Sequence, residues 1–597
     1  MPRITVLPSG ADLEVPAGTV LRDALQSARI PLDYPCGGKG TCRQCRVTVD
    51  PAPAAGAEGL KPELRDAGVR LACRLPVNED CTVTIPESRS SRQAWKTGLR
   101  GQDVDVSLPD RSVTRHSLDL AVPSLEDQRA DWERITDALA KRAVSAHAPA
   151  RGGYEAASLL LREAQWNVEA VCEDKDLVCL RPAGGRRVLG FAVDLGTTTV
   201  DLALVDLETG ARIARSAFLN GQVSFGADVI SRAQSFHDDR GPVRDAAART
   251  IDEGARSMLQ AAGLDPRDVV KTVVVGNPIM VHILNGIDPF QLTHVPYVPV
   301  TAASVRGVPA DFGWSFQGDG YVETLPLISA YVGADTIGMI VALDLEREKA
   351  TSLSIDIGTN GEMVLARHGT LLATSTAAGP AFEGAQIACG MRALDGAITD
   401  VEISAQGSVN LQVVGGGPAR GICGTGLIAG IAELLNRGVV DSTGRIADPA
   451  DLPEPAVRNR LFEAGGEPAF ALTEDHGVYL SQNDIRKLQL AKGAVRTGIE
   501  TLLEHSGLTA ETLDSLRLAG NFGAGLDAAA AMRIGLIPPM NLEKVQVVGN
   551  AALRGAIMVL LSRERWASAQ RASRLTRFVE LGATPEFQSR FMESMLF

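Results

Sequence analysis

An internal repeat constrains this chain more than any other feature. Val193-Asp194-Leu195-Gly196-Thr197-Thr198 recurs 162 residues later as Ile355-Asp356-Ile357-Gly358-Thr359-Asn360. Each copy follows a buried-type apolar run and precedes an alternating one. The pattern predicts strand, glycine-tipped turn and strand, twice over, and so a duplicated α/β fold. Glycine lets the backbone approach an anion, and nearby amides and threonine hydroxyls donate to phosphate oxygens. Gly196, Thr197, Thr198, Gly358, Thr359 and Asn360 are therefore candidate phosphate binders. Asp194 and Asp356, just before the turns, are candidate catalytic residues that hold hydrated Mg2+ or orient a water. One such turn is a weak signal; two in the same setting are a strong one. No G-x4-G-K-S/T occurs, which excludes a P-loop enzyme.

Two later glycine turns extend the pattern. Gly424-Thr425-Gly426 leads into a helix predicted over Leu427–Leu435. Gly520-Asn521-Phe522-Gly523 follows a strand at Ser515–Leu518 and opens another helix. Glycine at a strand-to-helix turn admits close ligand approach, with helix N-terminal amides facing it. The ordered set of four resembles the phosphate and adenosine motifs of the acetate/sugar kinase, heat-shock chaperone and actin superfamily. That resemblance implies two lobes clamping ATP, with Gly424, Thr425, Gly426, Gly520, Asn521 and Gly523 flanking the nucleoside. Gly226–Val229, Gly276–Pro278, Gly333–Asp335 and Gly379–Gly384 are further loops that could lie near the cleft. Asp228 or Glu383 could position an attacking water, or equally be a helix cap or surface carboxylate. His282 has no clustered partner and reads as structural.

Five of the nine cysteines fall in the first 81 residues. Cys36, Cys42, Cys45 and Cys73 are spaced C-x5-C-x2-C-x27-C around a glycine-rich loop. Four thiolates can hold two irons and two sulfides, with loop amides tuning the potential. A zinc site would ordinarily bring two C-x2-4-C knuckles, and here there is one. The spacing resembles a plant- or adrenodoxin-type [2Fe–2S] ferredoxin. Cys81 reads as a small buried hydrophobe, and Cys172 and Cys179 as structural thiols on strands.

Lys and Arg total 59 and Asp and Glu 72, a net charge of −13. That argues against a nucleic-acid partner and a polybasic membrane anchor. With no apolar leader and no 18-residue apolar run, the expectation is a cytoplasmic protein without a membrane partner. The chain divides into a [2Fe–2S] ferredoxin domain at 1–87, a linker at 88–112, a middle α/β domain at 113–187, and ATPase lobes at 188–350 and 351–597. The expected fold class is an α+β ferredoxin-like (β-grasp) domain, a small α/β domain and a duplicated actin/heat-shock-chaperone/sugar-kinase-like α/β module. Helical spacing covers Leu125–Val144 and Tyr154–Ala164, and Pro585–Phe597 reads as a last helix.

This combination resembles the reductive activators of corrinoid enzymes over essentially the whole chain. The resemblance implies ATP-dependent one-electron reduction of inactive cob(II)alamin to cob(I)alamin on a corrinoid protein of a methyltransferase system. It implies a [2Fe–2S] cluster, ATP and Mg2+, an external low-potential reductant and a possible homodimer. Two other readings stand beside it. One is an activator like those of 2-hydroxyacyl-CoA dehydratases, whose [4Fe–4S] cluster the cysteine pattern does not match. The other is a nucleotide-binding redox sensor, against which the aspartates at both turns argue.

Overall fold

Short alternating runs near the N terminus form a mixed five-stranded sheet. Its spatial order is Ala11–Glu14, Arg3–Leu7, Cys81–Thr84, Arg46–Asp50, Val69–Leu71. The first and last of these strands in sequence pair in parallel, Ile4 opposite Cys81. Helix Leu21–Ser27 buries Leu21 and Leu25 against Ile4, Val47 and Val83, giving the β-grasp core. In this computed structural model the described residues are 1–8, 10–28, 30, 32, 40, 45–60, 62–85, 110–146, 151–174, 176–226, 228–384, 386–520, 525–583 and 587–597. Most of the linker expected at 88–112 lies outside them.

A three-stranded antiparallel sheet follows, ordered Asp176–Pro182, Asn167–Glu173, Val113–Asp119. Helices Asp131–Ala140 and Arg151–Glu163 cover one face through Ile135, Leu139 and Leu161. The first helix is shorter than its spacing predicts. Ser124 and Asp127 form a turn ahead of it, and Asp127 accepts from Arg134 at 2.7 Å, so the chain enters the helix only at Asp131. Val113, Val171 and Cys179 on the sheet's other face join the core of the next unit.

The repeat builds two six-stranded sheets that share a five-strand order; the sixth strand is Val305–Gly307, antiparallel beyond Tyr321–Thr324, in the first, and Arg577–Phe578, parallel beyond Thr370–Thr376, in the second. In the first, Arg212–Leu219, Thr199–Asp206 and Leu189–Leu195 run antiparallel, and Val269–Gly276 and Tyr321–Thr324 continue in parallel. In the second, Thr370–Thr376, Gly361–Arg367 and Thr351–Ile357 are followed by Ser515–Ala519 and Val545–Gly549. The central strands are buried on both faces, although Lys271 and Thr272 in one and Thr351, Ser352, Ser354 and Asp356 in the other interrupt the apolar run. One core spans both sheets: Ala192, Ala203 and Val273 meet Val364, Ala373 and Ala519 through helices Ala334–Ala342 and Ala551–Leu561. Those helices cross where Gly338 and Gly555 touch, and a Cβ on Gly555 would overlap the Gly338 carbonyl. The last helix, Phe587–Ser594, packs on the long helix Gln482–His505, where Gln489 donates to Met595 O at 2.9 Å.

Candidate functional site

Both glycine turns open onto one cleft of about 800 Å3 between the two sheets. Gly196, Thr197 and Thr198 line it from one side, Gly358, Thr359 and Asn360 from the other, with Asp194 and Asp356 among them. Each turn is fixed from behind. Gly196 N–H donates to Thr199 O (3.0 Å), and Asn220 braces the turn through Nδ2 to Gly196 O (2.8 Å) and its own N–H to Thr198 O (2.9 Å). Gly358 N–H donates to Asn360 O (2.9 Å), and Gly379 N–H to Thr359 O (2.8 Å). Thr197 and Thr198 line the cleft on one side; on the other, Thr359 lines it with its hydroxyl donating to Glu383.

Strand register adds an acidic partner to each aspartate. Asp201 lies opposite Asp194, and Glu362 opposite Asp356. The signal was present in each repeat as an acid on the returning strand, but only register makes it a neighbour. Asp201 is neutralised by Arg215, whose Nε donates to it at 3.1 Å. Asn550, at the start of helix Ala551–Leu561, donates Nδ2 to Asp194 (2.8 Å) and Asp201 (3.2 Å). No cation pairs with Asp356 or Glu362 among the described residues. Asp335, from the first turn of helix Ala334–Ala342, completes the acidic floor.

The electrostatics follow from burial without compensation. Burial raises Asp194 well above the usual carboxylate range; Asn550 opposes this, and Asp201, Asp356 and Asp335 add to it. Burial and then Asp335 push Asp356 up to about 7. Burial carries Asp335 to about 6 against hydrogen bonds from Thr336. Glu362 is raised by burial, then by Asp335 and Asp356. Such a floor calls for a cation. An all-oxygen donor set suits Mg2+. Among the described residues no three acidic, His or Cys side chains converge closely enough to hold an ion alone.

The other predicted residues divide. Gly424 and Thr425 line the cleft as the first residues of helix Gly424–Asn436, which starts three residues earlier than expected. Gly426 does not line it; a Cβ there would overlap Ile398 O, so this glycine serves packing. Gly520 lines it with φ +96°, and a Cβ would sit 2.6 Å from Asp356 Oδ1. Asn521 and Gly523 lie outside the described residues, and the next described helix is Ala528–Arg533, capped by Asp527. Arg392, Thr399, Asp400 and Gln412 supply a further wall, two of them from strand Ala397–Ile403 and one from Val409–Val413. Nothing in their local sequence marks them. Asn277 and Glu383 line the cleft, whereas Asp228 spends its carboxylate on Ser231, at 2.7 Å to the backbone N–H, as a helix cap. His282 is buried in helix Pro278–Leu284, with Nδ1 on Pro278 O at 2.7 Å.

The second site lies in the β-grasp unit. Cys45 precedes strand Arg46–Asp50, and Cys73 sits in the turn Ala72–Arg74. Ala72 N–H donates to Cys45 O (2.9 Å) and draws the two together. Their sulfurs are 3.2 Å apart and buried, well beyond a disulfide bond of ~2.05 Å. Adjacent thiols on one core edge fit ligation of a shared iron. Cys36 and Cys42 lie outside the described residues. Cys81 packs against the same core. Burial pushes the Cys172 and Cys179 thiols up to about 11 and about 12, as expected of structural thiols.

Comparison with known proteins covers the whole architecture. Residues 4–78 match the 2Fe-2S iron-sulfur cluster binding domain, and 105–185 the RACo linker region. Residues 189–348 match the RACo middle region, and 350–597 the C-terminal domain of RACo, the ASKHA domain. The corrinoid activation enzyme RamQ of Eubacterium limosum is 28% identical over 607 residues, covering 98% of this chain and 97% of its own length. A Methanosarcina barkeri protein, the [Co(II) methylated amine-specific corrinoid protein] reductase, is 28% identical over 406 residues, 63% of this chain and 70% of its own. A solved reductive activator for corrinoid, iron-sulfur protein aligns over 100% of this chain and 98% of its own, at 30% identity and a TM-score of 0.76. With a [2Fe–2S]-type domain, a duplicated cleft and an end-to-end solved relative, this chain belongs to the RACo family of reductive activators.

Proposed function

We propose that the protein uses ATP to drive one-electron reduction of a corrinoid protein from cob(II) to cob(I), in support of a corrinoid-dependent methyltransferase. The observation that carries this reading is the union, in one chain, of a ferredoxin-type thiol pair and a cleft with an uncompensated acidic floor. When bound, the [2Fe–2S] cluster supplies one-electron transfer, held by Cys36, Cys42, Cys45 and Cys73. Its potential is about −400 mV if it resembles the plant type. Each ~59 mV by which cob(II)/cob(I) lies lower costs tenfold in equilibrium. ATP offsets that cost if the two nucleotide states hold the partner differently.

The chain's residues divide the work. Thr197, Thr198, Thr359 and Asn360 hold the phosphates, Asp194 and Asp356 hold hydrated Mg2+ and orient water, and Thr425 and Gly520 border the nucleoside. Closure of the sheets around the Gly338–Gly555 crossing draws the two turns together. Helix Ala551–Leu561 offers a route outward. Asn550 at its start touches Asp194, and its last carbonyls hold the end of the linker: Ser112 N–H on Leu561 O and Ser112 Oγ–H on Leu560 O, both 2.8 Å. Lys271 Nζ joins them at 3.3 Å to Leu560 O and 2.6 Å to Glu173. A shift at the cleft floor would thereby reach the tether of the ferredoxin domain. The reductant that feeds the cluster is external, and the setting is cytoplasmic, where clustered cysteines hold metal more often than they form disulfides. No described helix is long and apolar enough to cross a membrane.

The test mixes anaerobically reduced protein, Mg-ATP and a cob(II) corrinoid methyltransferase and follows the cob(I) spectrum. ATP-dependent cob(I) is expected. Its absence, with cluster and corrinoid protein intact, refutes the proposal.

A further inference from the structure

Lys271 lies in the buried strand Val269–Gly276, whose other residues are valine, threonine and glycine, and its side chain is 2% exposed. Its ammonium meets atoms from three parts of the chain. Glu173 Oε1, at the end of strand Asn167–Glu173, is 2.6 Å away. Leu560 O and Val559 O, at the end of helix Ala551–Leu561, are 3.3 and 3.5 Å away, and Ser112 Oγ is 3.4 Å away. Glu173 is as fully committed. Its Oε2 accepts from Arg306 Nη2 at 2.6 Å and from the Tyr321 hydroxyl, both on strands of the first six-stranded sheet. Arg306 stacks over the Tyr321 ring, 3.6 Å from its centre. Ser112 O accepts from Asp174 N–H at 3.1 Å. Asp110, two residues earlier, accepts from Glu564 N–H at 2.8 Å in the first turn of helix Arg563–Leu575.

Two features mark this joint as more than a fold contact. The first is energetic. Burying an ion pair desolvates both charges, and well-packed apolar residues would serve stability as well. Glu173 nevertheless stays ionised: burial raises its carboxyl, and Lys271, Tyr321 and Arg306 more than reverse the effect. The second is position. Both elements that meet at Lys271 have their far ends in the cleft. Strand Val269–Gly276 runs on to Asn277, which lines it. Helix Ala551–Leu561 is capped by Asn550, which donates to Asp194 at 2.8 Å. The 11 residues of that helix span about 16 Å, and the ammonium faces the negative end of its dipole.

We propose that Lys271 and Glu173 are positioning residues for electron transfer: they form the joint through which the nucleotide cleft moves the three-stranded sheet and the end of the linker that tethers the ferredoxin domain. The inference rests on the reading of the protein as an ATP-driven electron donor. Neither residue lines the cleft. A change at the Asp194 floor displaces helix Ala551–Leu561, its last carbonyls press on Lys271 and Ser112, and Glu173 passes the displacement to the sheet. With the joint cut, hydrolysis continues and the electron is no longer delivered in step with it.

The experiment compares the full chain, loaded with its cluster, with E173Q, K271M and E173Q/K271M. Phosphate release gives kcat and KM for Mg-ATP, the cob(I) spectrum of a cob(II) corrinoid methyltransferase gives ATP-dependent reduction, and urea unfolding gives stability. The deciding quantity is cob(I) formed per phosphate released. Each variant should keep kcat and KM within about threefold of wild type and lose about tenfold or more in that ratio. The double variant should fall within about threefold of the single ones, since all three cut one joint. A single variant that strands a buried charge can fail to fold; the double variant removes both charges and then decides alone. A ratio within about threefold of wild type, whatever the change in stability, would overturn the proposal, as would a kcat that falls in step with cob(I). A wild type that forms no ATP-dependent cob(I) overturns the reading of function and this one with it. A wild type that forms it, with variants at an unchanged ratio, overturns this one alone.

Discussion

Asp356→Asn should stabilise the nucleotide-free protein at alkaline pH while abolishing its ATP-dependent activity. Burial, then Asp335, pushes the folded Asp356 up to about 7, against ~3.9 in an unfolded chain. A carboxyl raised in this way contributes stability that is fully present below about pH 3.9 and is lost as pH rises through about 7. The gap corresponds to roughly 4 kcal/mol at 1.36 kcal/mol per pH unit. Cleft water screens part of it, leaving roughly 2–4 kcal/mol. Asparagine keeps the shape and removes the charge. Near pH 4 the two proteins should unfold at similar denaturant concentrations. Near pH 8, without Mg2+ or nucleotide, the variant should be more stable by that amount. Mg-ATP should close the gap by stabilising the wild type. Urea unfolding followed by far-UV circular dichroism, with and without Mg-ATP, measures each arm. Parallel stability curves from about pH 5 to about pH 8 would refute the account of an uncompensated acidic floor.

Three other perturbations probe separate links. Asn550→Ser keeps a helix-capping oxygen but is too short to donate to Asp194 and Asp201; about 1.5–3 kcal/mol of stability should be lost where Asp194 is charged, and less as pH falls, read by the same unfolding curves. Gly555→Ala forces a methyl against the Gly338 carbonyl, so about 1–3 kcal/mol should be lost, and ATP-dependent cob(I) formation with it, even when analogue affinity is retained. Cys73→Ser should remove the visible absorbance of the cluster and all electron transfer, yet leave Mg-ATP binding by calorimetry unchanged, since the two sites belong to different cores.

The local sequence determined a great deal here. Glycine-tipped turns, apolar strands and the cysteine loop are encoded in contiguous residues, because a turn needs its own φ/ψ and a strand its own alternation. Thus the duplicated fold, both phosphate-type turns and the ferredoxin-like sheet are legible in the amino-acid sequence alone. Boundaries slipped where a tertiary contact decided them: Asp127 on Arg134 delays one helix to Asp131, and another starts early at Gly424. Tertiary structure alone set Glu362 against Asp356 by register, and brought Asn550 to Asp194 from 356 positions away. It likewise gave Gly426 to packing rather than to the cleft and spent Asp228 as a cap. The reason is physical. Whether a carboxylate is a cap, a buried charge or a ligand depends on desolvation and on neighbours that arrive through the folded chain, and neither is a property of the residues beside it in sequence.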